Sequence, residues 1–226
     1  MADIIALMGN KGSGKDTVAN FIQENNTKYD NVVIMSFADA LKDAVSAIFN
    51  FRRDLLEGAT VESREWRETE IPYLSDVMHK KVTPRYLLQI IGTNILRKYL
   101  YNDIWVDSVL VKIHLLEDQA KKEHKNNLYV ITDCRFKNEI FKLAQSGNSV
   151  KYVEVDRRNR NGYFYNLAYK YNNSRNPFVR LYCVWKLRNI HRSEWDWIGV
   201  VKEPVLIYNI GSLDNLEELV KSLIIE

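Results

Sequence analysis

The sequence predicts an α/β protein, a parallel β-sheet with helices on both faces, and three observations carry that expectation. Short β-rich apolar runs alternate with helical patterns along most of the 226 residues. The first run, Ile4 to Met8, leads directly into the glycine-rich stretch Gly9-Asn10-Lys11-Gly12-Ser13-Gly14-Lys15. A later run, Leu128 to Thr132, is followed by Asp133, which puts an acid at the carboxyl end of a strand, where parallel sheets bind ligands.

Each element has its own signal. After the first strand, a helix is expected from about Gly14 to Glu24, with Val18, Ala19, Phe21 and Ile22 as its apolar stripe. Val32 to Met35 reads as a second strand, and Ala38 to Phe49 as a helix with Leu41, Val45 and Ile48 on one face. From Phe51 to Lys81 the periodicity breaks. The segment is charged and rich in Arg and Glu, and is expected to be an insertion or cap rather than core. Pro84, well tolerated in a first helical turn, opens a helix lined by Leu87, Leu88, Ile91, Ile95 and Leu96. Asp103 to Lys122 is helical. Phe136 to Ser146 is a short helix closed by Gly147, Val150 to Val155 is a strand, and Val205 to Tyr208 is the last strand. Ser212 caps a final helix running through Ile225. The stretch Arg157 to Trp197 is basic and aromatic without a clean period. Within it Asn159 to Asn176 is expected to be a mobile loop and Phe178 to Ile190 an amphipathic helix.

Composition narrows the class. With 46% hydrophobic and 27% charged residues the chain reads as an ordinary soluble globular protein. A formal charge of +3 is too small to argue for nucleic acid by itself. Two cysteines, Cys134 and Cys183, form neither a disulfide framework nor a metal-ligand spacing, which favours a reducing, cytoplasmic setting. The N-terminus lacks the basic start and long apolar run of a signal peptide, and no apolar stretch is long enough to span a bilayer.

The run from Gly9 to Thr17 fits Gly-x-x-x-x-Gly-Lys between a strand and a helix, the context in which this pattern cradles phosphates. Glycines let several N–H groups converge, the helix N-terminus adds its dipole, and Lys15 supplies a point charge for β- and γ-phosphates. The whole stretch Gly9, Asn10, Lys11, Gly12, Ser13, Gly14, Lys15, Asp16 and Thr17 is thus the expected ATP-binding loop. The hydroxyl residue that usually follows the Lys is replaced here by Asp16, with Thr17 next. A carboxylate can bind Mg²⁺ directly or through water, or orient an acceptor.

A phosphate loop alone does not define a reaction. Asp133 stands where a strand-end acid holds Mg²⁺ or its waters, and Arg135 would enter the same crevice and clamp a phosphate. The alternative is a surface turn with a local Asp–Arg pair. Asp39 and Lys42 begin a helix after the second strand; Arg85 and Gln89, four apart, share a helix face, and Arg97 rides the same helix. These residues suit either an acceptor site or the ordinary solvated side of amphipathic helices.

The segments GNKGSGKDT, SFADALKD, RYLLQIIGTNILRKY, DIWVD, ITDCRFKNE, HRSEWDW and NIGSLDNLEEL occur in this order. In that respect the chain resembles phage-type deoxynucleoside monophosphate kinases over most of its length, least at 51–81 and 159–190. The resemblance implies a P-loop NTPase three-layer fold, nucleoside monophosphate (NMP)-kinase-like. One domain would span 1–226, with a helical acceptor-binding region at about 37–125 and a lid at about 157–197. It implies transfer of the ATP γ-phosphate to a deoxynucleoside monophosphate with Mg²⁺, in the cytoplasm (the host's, if phage-encoded). Lys15 and Asp16 would then serve ATP and Mg²⁺. Asp39, Lys42, Arg85, Gln89, Asp133 and Arg135 would serve the acceptor. Phe37 and Trp105 offer stacking surfaces for a base, Trp105 fitting a core position better. The metal would be held by Asp16 and Asp133. Homodimerisation is expected from the family alone. Glycine-Lys-Asp loops also occur in animal-type phosphomevalonate kinases, so a non-nucleotide phosphate is the rival acceptor.

The basic segment suits a closing lid that brings arginines to the transferring group, with Arg157 and Arg158 foremost because they leave the strand directly. Arg160, Arg175, Arg180, Arg188 and Arg192 follow. A nucleic-acid surface and a solvated face are the competing readings; no stable nucleic-acid partner and no membrane partner are expected. His191-Arg192-Ser193-Glu194 reads as structural or as a lid hinge. A monophosphate oxygen is already ionised near neutral pH, so no essential general base is expected.

Overall fold

The computed structural model describes residues 1–157 and 162–225. Its elements are β1 (Asp3–Met8), α1 (Lys15–Glu24), β2 (Asn31–Met35), α2 (Asp39–Phe49), α3 (Val61–Glu68), α4 (Pro72–Met78), α5 (Pro84–Gln89), α6 (Ile104–Lys122), β3 (Asn127–Ile131), α7 (Lys137–Gln145), β4 (Ser149–Asp156), α8 (Tyr163–Asn173), α9 (Pro177–Leu187), β5 (Val205–Tyr208) and α10 (Leu213–Ile225). The five strands form one parallel sheet in the order β2-β3-β1-β4-β5. This is the α/β architecture expected, consistent with a P-loop NMP-kinase-like fold. The chain divides into two compact units, Met1–Ser36 with Leu110–Glu226, and Phe37–Val109.

The first unit holds the sheet. Alternation along the strands sends Ile5, Leu7, Val130, Val153, Val155 and Ile207 to one face, where Val18, Ala19 and Ile22 of α1 and Leu216 and Val220 of α10 complete the core. On the other face the Tyr152 hydroxyl donates to the Ile140 carbonyl of α7, and the Tyr129 hydroxyl to Glu117 of α6. Ile5 pairs with Val130, and Leu7 with Val153. In consequence the loops after β1, β3, β4 and β5 leave one edge of the sheet together, held by Cys134 N–H to the Leu7 carbonyl and Asn209 N–H to the Asp156 carbonyl. Among the described residues, no helix is long and apolar enough to cross a membrane.

The second unit corrects three expectations. Residues 51–81 are largely helical and contribute to a core: Leu56 is fully buried with Val45 and Leu88, and Phe51 meets Trp66 edge-on at 5.3 Å. Two short helices need few apolar residues, so no period shows. Their ends are set instead by the reciprocal Thr60–Ser63 cap and by Pro72 at a first helical position. Ile48, expected on the apolar face of α2, is exposed. The helix opened by Pro84 changes after Gln89 into a π-helical segment, Ile90–Leu100. Its i→i+5 bonding widens the turns, so Ile95 rotates off the buried side and is exposed. Gly92 sits where the Leu41 side chain leaves no room for a Cβ, and its carbonyl accepts Trp105 Nε1 at 3.1 Å. In the first unit, the expected mobile loop 159–176 contains α8 from Tyr163 onward, whose pattern is hidden because aromatic rings occupy both its sides.

Candidate functional site

The glycine-rich loop takes its shape from three left-handed glycines. Gly9, Gly12 and Gly14 have φ values of 145°, 77° and 99°, a region that side chains disfavour. A Cβ on Gly9 would strike the Val155 carbonyl and Ser13 Oγ, and one on Gly14 would strike the Asn209 amide. That amide donates to the Ser13 carbonyl at 2.8 Å, so the end of β5 supports the loop from below. Gly14 turns the chain into α1, whose first N–H groups have no partners inside the helix.

Lys15, the first residue of α1, is 5% exposed and folds back over the loop. Its Nζ donates to the Gly9 carbonyl at 2.9 Å and the Asn10 carbonyl at 2.8 Å, with Ser13 Oγ at 3.4 Å. Burial, and then the nearby charge of Arg135, bring its pKa down to about 8. Asp16, Glu194 and Asp133 pull in the opposite direction. Two cations and three acids thus converge on the mouth of the loop.

Arg135 follows β3 in the turn Asp133-Cys134-Arg135. Glu139 of α7, itself buried, fixes this turn: its Oε2 accepts Arg135 N–H at 2.8 Å and Phe136 N–H at 2.9 Å. The Arg135 guanidinium is about one-third exposed and lies 3.6 Å from Glu194 Oε1. Glu194 belongs to the segment expected to be structural or a lid hinge, and the fold brings it to the loop. Its Oε2 accepts Lys11 N–H at 2.8 Å, with Asn10 Nδ2 at 3.3 Å, and its carbonyl accepts Asn10 Nδ2 at 2.8 Å. The signal available in the sequence was the compact HRSEWDW segment. Its contact with the loop spans 183 positions and is invisible to any local pattern.

The same segment is anchored by Asp196, whose side chain is 1% exposed. Asp196 Oδ2 accepts Lys137 N–H at 3.0 Å, at the start of α7, and Oδ1 accepts Arg192 Nε at 2.9 Å. Asn172 of α8 donates to the Asp196 carbonyl at 3.1 Å. Of the two arginines expected foremost, Arg157 is exposed and lines a shallow pocket with Asn10, Lys11, Gly12, Ser13 and Asp156. Arg158 lies outside the described residues, as does Arg160. Arg180 stacks over Tyr171 and Arg188 over Trp185, at 5.0 and 4.9 Å to the ring centroids.

The remaining candidates belong to the second unit and are described within it. Lys42 contacts Glu57 at 2.6 Å and Asp39 at 3.7 Å, and Arg53 reaches Asp39 at 3.3 Å. Arg85 pairs with Glu68, and Gln89 is exposed at the end of α5. Phe37 is 2% exposed and Trp105 7%, so neither ring presents an open face to solvent.

Among the described residues, no group of three or more His, Cys, Asp or Glu side chains gathers as a metal site. Mg²⁺ does not require one, because it keeps several waters and takes one or two carboxylates plus substrate phosphates. Asp16, exposed on the first turn of α1, and Asp133, half-buried after β3, both act on the Lys15 charge and suit that limited role.

No protein-family model matches the chain. It is similar to a protein of Acanthamoeba polyphaga mimivirus named "Putative deoxynucleotide monophosphate kinase", with 29% identity over 163 residues covering 68% of this chain and 74% of the relative.

Proposed function

We propose that the chain is a P-loop kinase that transfers the γ-phosphate of ATP to a deoxynucleoside monophosphate. The observation that carries this reading is the cradle itself: a strand, a loop turned by three left-handed glycines, and a helix headed by Lys15, with Arg135 close enough to depress the Lys15 pKa. A lone phosphate cradle would serve many reactions. A second cation beside the loop, on the neighbouring strand end, suits a reaction that joins two phosphorylated molecules. The name of the mimivirus relative supports the same reaction and acceptor class.

On this reading the loop amides and Lys15 hold the polyphosphate, and Arg135 presents the acceptor phosphate. Arg157 and Arg158 stabilise charge on the group in transit. Asp16 and Asp133 would hold Mg²⁺, which supplies charge neutralisation on the phosphates when bound. Asp39, Lys42, Arg85 and Gln89 are proposed for the acceptor, with Gln89 able to give and take a hydrogen bond at a base edge. The acceptor oxygen is ionised near neutral pH, so no side chain needs to remove a proton from it.

The test is ADP release from ATP and Mg²⁺ across dAMP, dGMP, dCMP, dTMP, hydroxymethyl-dCMP and phosphomevalonate. Turnover with at least one deoxynucleotide, and none with phosphomevalonate, is expected. The reverse pattern would move the chain to a non-nucleotide acceptor, and ATP turnover with neither would end the kinase reading.

A further inference from the structure

Glu194 reaches the phosphate loop from the far end of the chain and touches both of its working edges. One carboxylate oxygen takes the Lys11 N–H at 2.8 Å, and the other faces Arg135 at 3.6 Å. We propose that Glu194 is a positioning residue for phosphoryl transfer: it pins the outer lip of the loop and aims the Arg135 guanidinium across its mouth. This rests on the kinase reading above.

The loop needs such a pin. Asn10 and Lys11 lie between two left-handed glycines, Gly9 and Gly12, where the backbone is softest. Unpinned amides would have to be ordered by the ligand, which weakens binding; a cradle ordered beforehand avoids that cost. Arg135 needs orientation too, because a long and partly exposed side chain samples many rotamers. Its contact with Glu194 is an ion pair through one Nη, which leaves the other guanidinium N–H groups for a phosphate. Glu194 is a firm base for both tasks. Its own carbonyl is tied to Asn10, and the buried Asp196 two residues on locks the segment to the start of α7.

A carboxylate among phosphate-recognising groups invites the opposite reading, an anion that blocks the site. The two readings predict opposite signs for removing the charge. The experiment compares wild type, Glu194→Gln, Glu194→Ala, Arg135→Ala and the Glu194→Gln/Arg135→Ala double variant. Each is measured for kcat and KM with ATP and a deoxynucleoside monophosphate, for ATP affinity by calorimetry, and for melting temperature. Glutamine keeps an acceptor for Lys11 N–H, so ATP affinity should stay within about threefold, while kcat/KM for the acceptor falls about tenfold. Alanine should lose the pin as well and weaken ATP binding about tenfold. With Arg135 already removed, the glutamine exchange should change kcat/KM by less than about twofold, because its target is gone.

Three results would overturn the proposal: tighter ATP binding or faster turnover in Glu194→Gln, losses that multiply independently in the double variant, or an alanine variant with wild-type kinetics. If wild type transfers phosphate to no deoxynucleotide, the kinase reading fails. The ATP arm then decides alone: weaker binding in alanine but not in glutamine keeps the pin, and equal binding removes it.

Discussion

The Nζ of Lys15 lies 2.8 Å from the carbonyl oxygen of Asn10, so the cation at the head of α1 is hydrogen-bonded by the backbone of the glycine-rich loop. The ammonium is therefore both buried and hydrogen-bonded. Replacing it by alanine removes the charge but not the packing of β1 on α1. Lys15→Ala is expected to lose at least about a hundredfold in kcat/KM while keeping a cooperative melt, since charge stabilisation of a developing phosphoryl oxyanion is of that order. Near-normal turnover in that variant would remove Lys15 from the mechanism.

Its titration gives a second prediction. Burial holds the folded pKa at about 8, below the ordinary 10.5. Between those values the unfolded chain keeps a proton that the folded chain has released. The contribution of this residue to stability therefore rises with pH across that window. Binding has the opposite sign, because polyphosphate needs the charged form. ATP affinity should hold below about pH 8 and fall above it, by at most about tenfold per pH unit. Calorimetry at about pH 9 in two buffers of different ionisation enthalpy should detect proton uptake on ATP binding. An enthalpy that does not depend on buffer would show that the site binds without recharging Lys15.

Two glycines of the loop should respond differently to the same change. Gly9→Ala places a methyl group against the Val155 carbonyl and Ser13 at a positive φ, and is expected to cost about 3 kcal/mol and most ATP binding. Gly12→Ala meets nothing within 4 Å and bears only the left-handed penalty, about 1 kcal/mol. Denaturant titration of both variants checks the order; equal losses would mean that the crowding at Gly9 relaxes.

Arg135→Ala is expected to raise the acceptor KM and lower kcat, with ATP affinity changed little. Its guanidinium sits beside the loop, on the strand-end turn set by Glu139, rather than inside it. Equal loss of ATP affinity, measured by calorimetry, would assign Arg135 to the donor.

Asp196 tests the support behind the site. It is buried and accepts both the Lys137 N–H and Arg192 Nε. Asp196→Ala should cost about 2–3 kcal/mol in denaturant titration by stranding the Lys137 N–H that it caps. Asp196→Asn, which can still accept that N–H, should recover part of it. Identical losses in the two would place its value in charge alone.

Much of this was legible locally. Alternation of β-rich runs and helical stripes named the sheet and most helices, because burial on two faces leaves a period in the residues. Gly-x-x-x-x-Gly-Lys marked the turn from β1 into α1, because the positive φ values at Gly9, Gly12 and Gly14 demand glycine there. That Asp133 and Arg135 leave a strand end was legible because an apolar run followed by an acid marks where a buried strand stops. The stretch 51–81 was not, since its helices, α3 capped by Thr60 and α4 opened by Pro72, are too short to show a repeating pattern.

What the chain alone settled is therefore whatever depends on neighbours in sequence: strand, turn and helix, with glycine at the positive-φ positions of the loop between β1 and α1. The fold alone decided that Glu194 reaches Lys11, that Asn209 props Ser13, and that Asp196 caps α7. Those contacts join segments far apart in sequence, and only the packing of the sheet and its helices brings such partners within hydrogen-bonding distance.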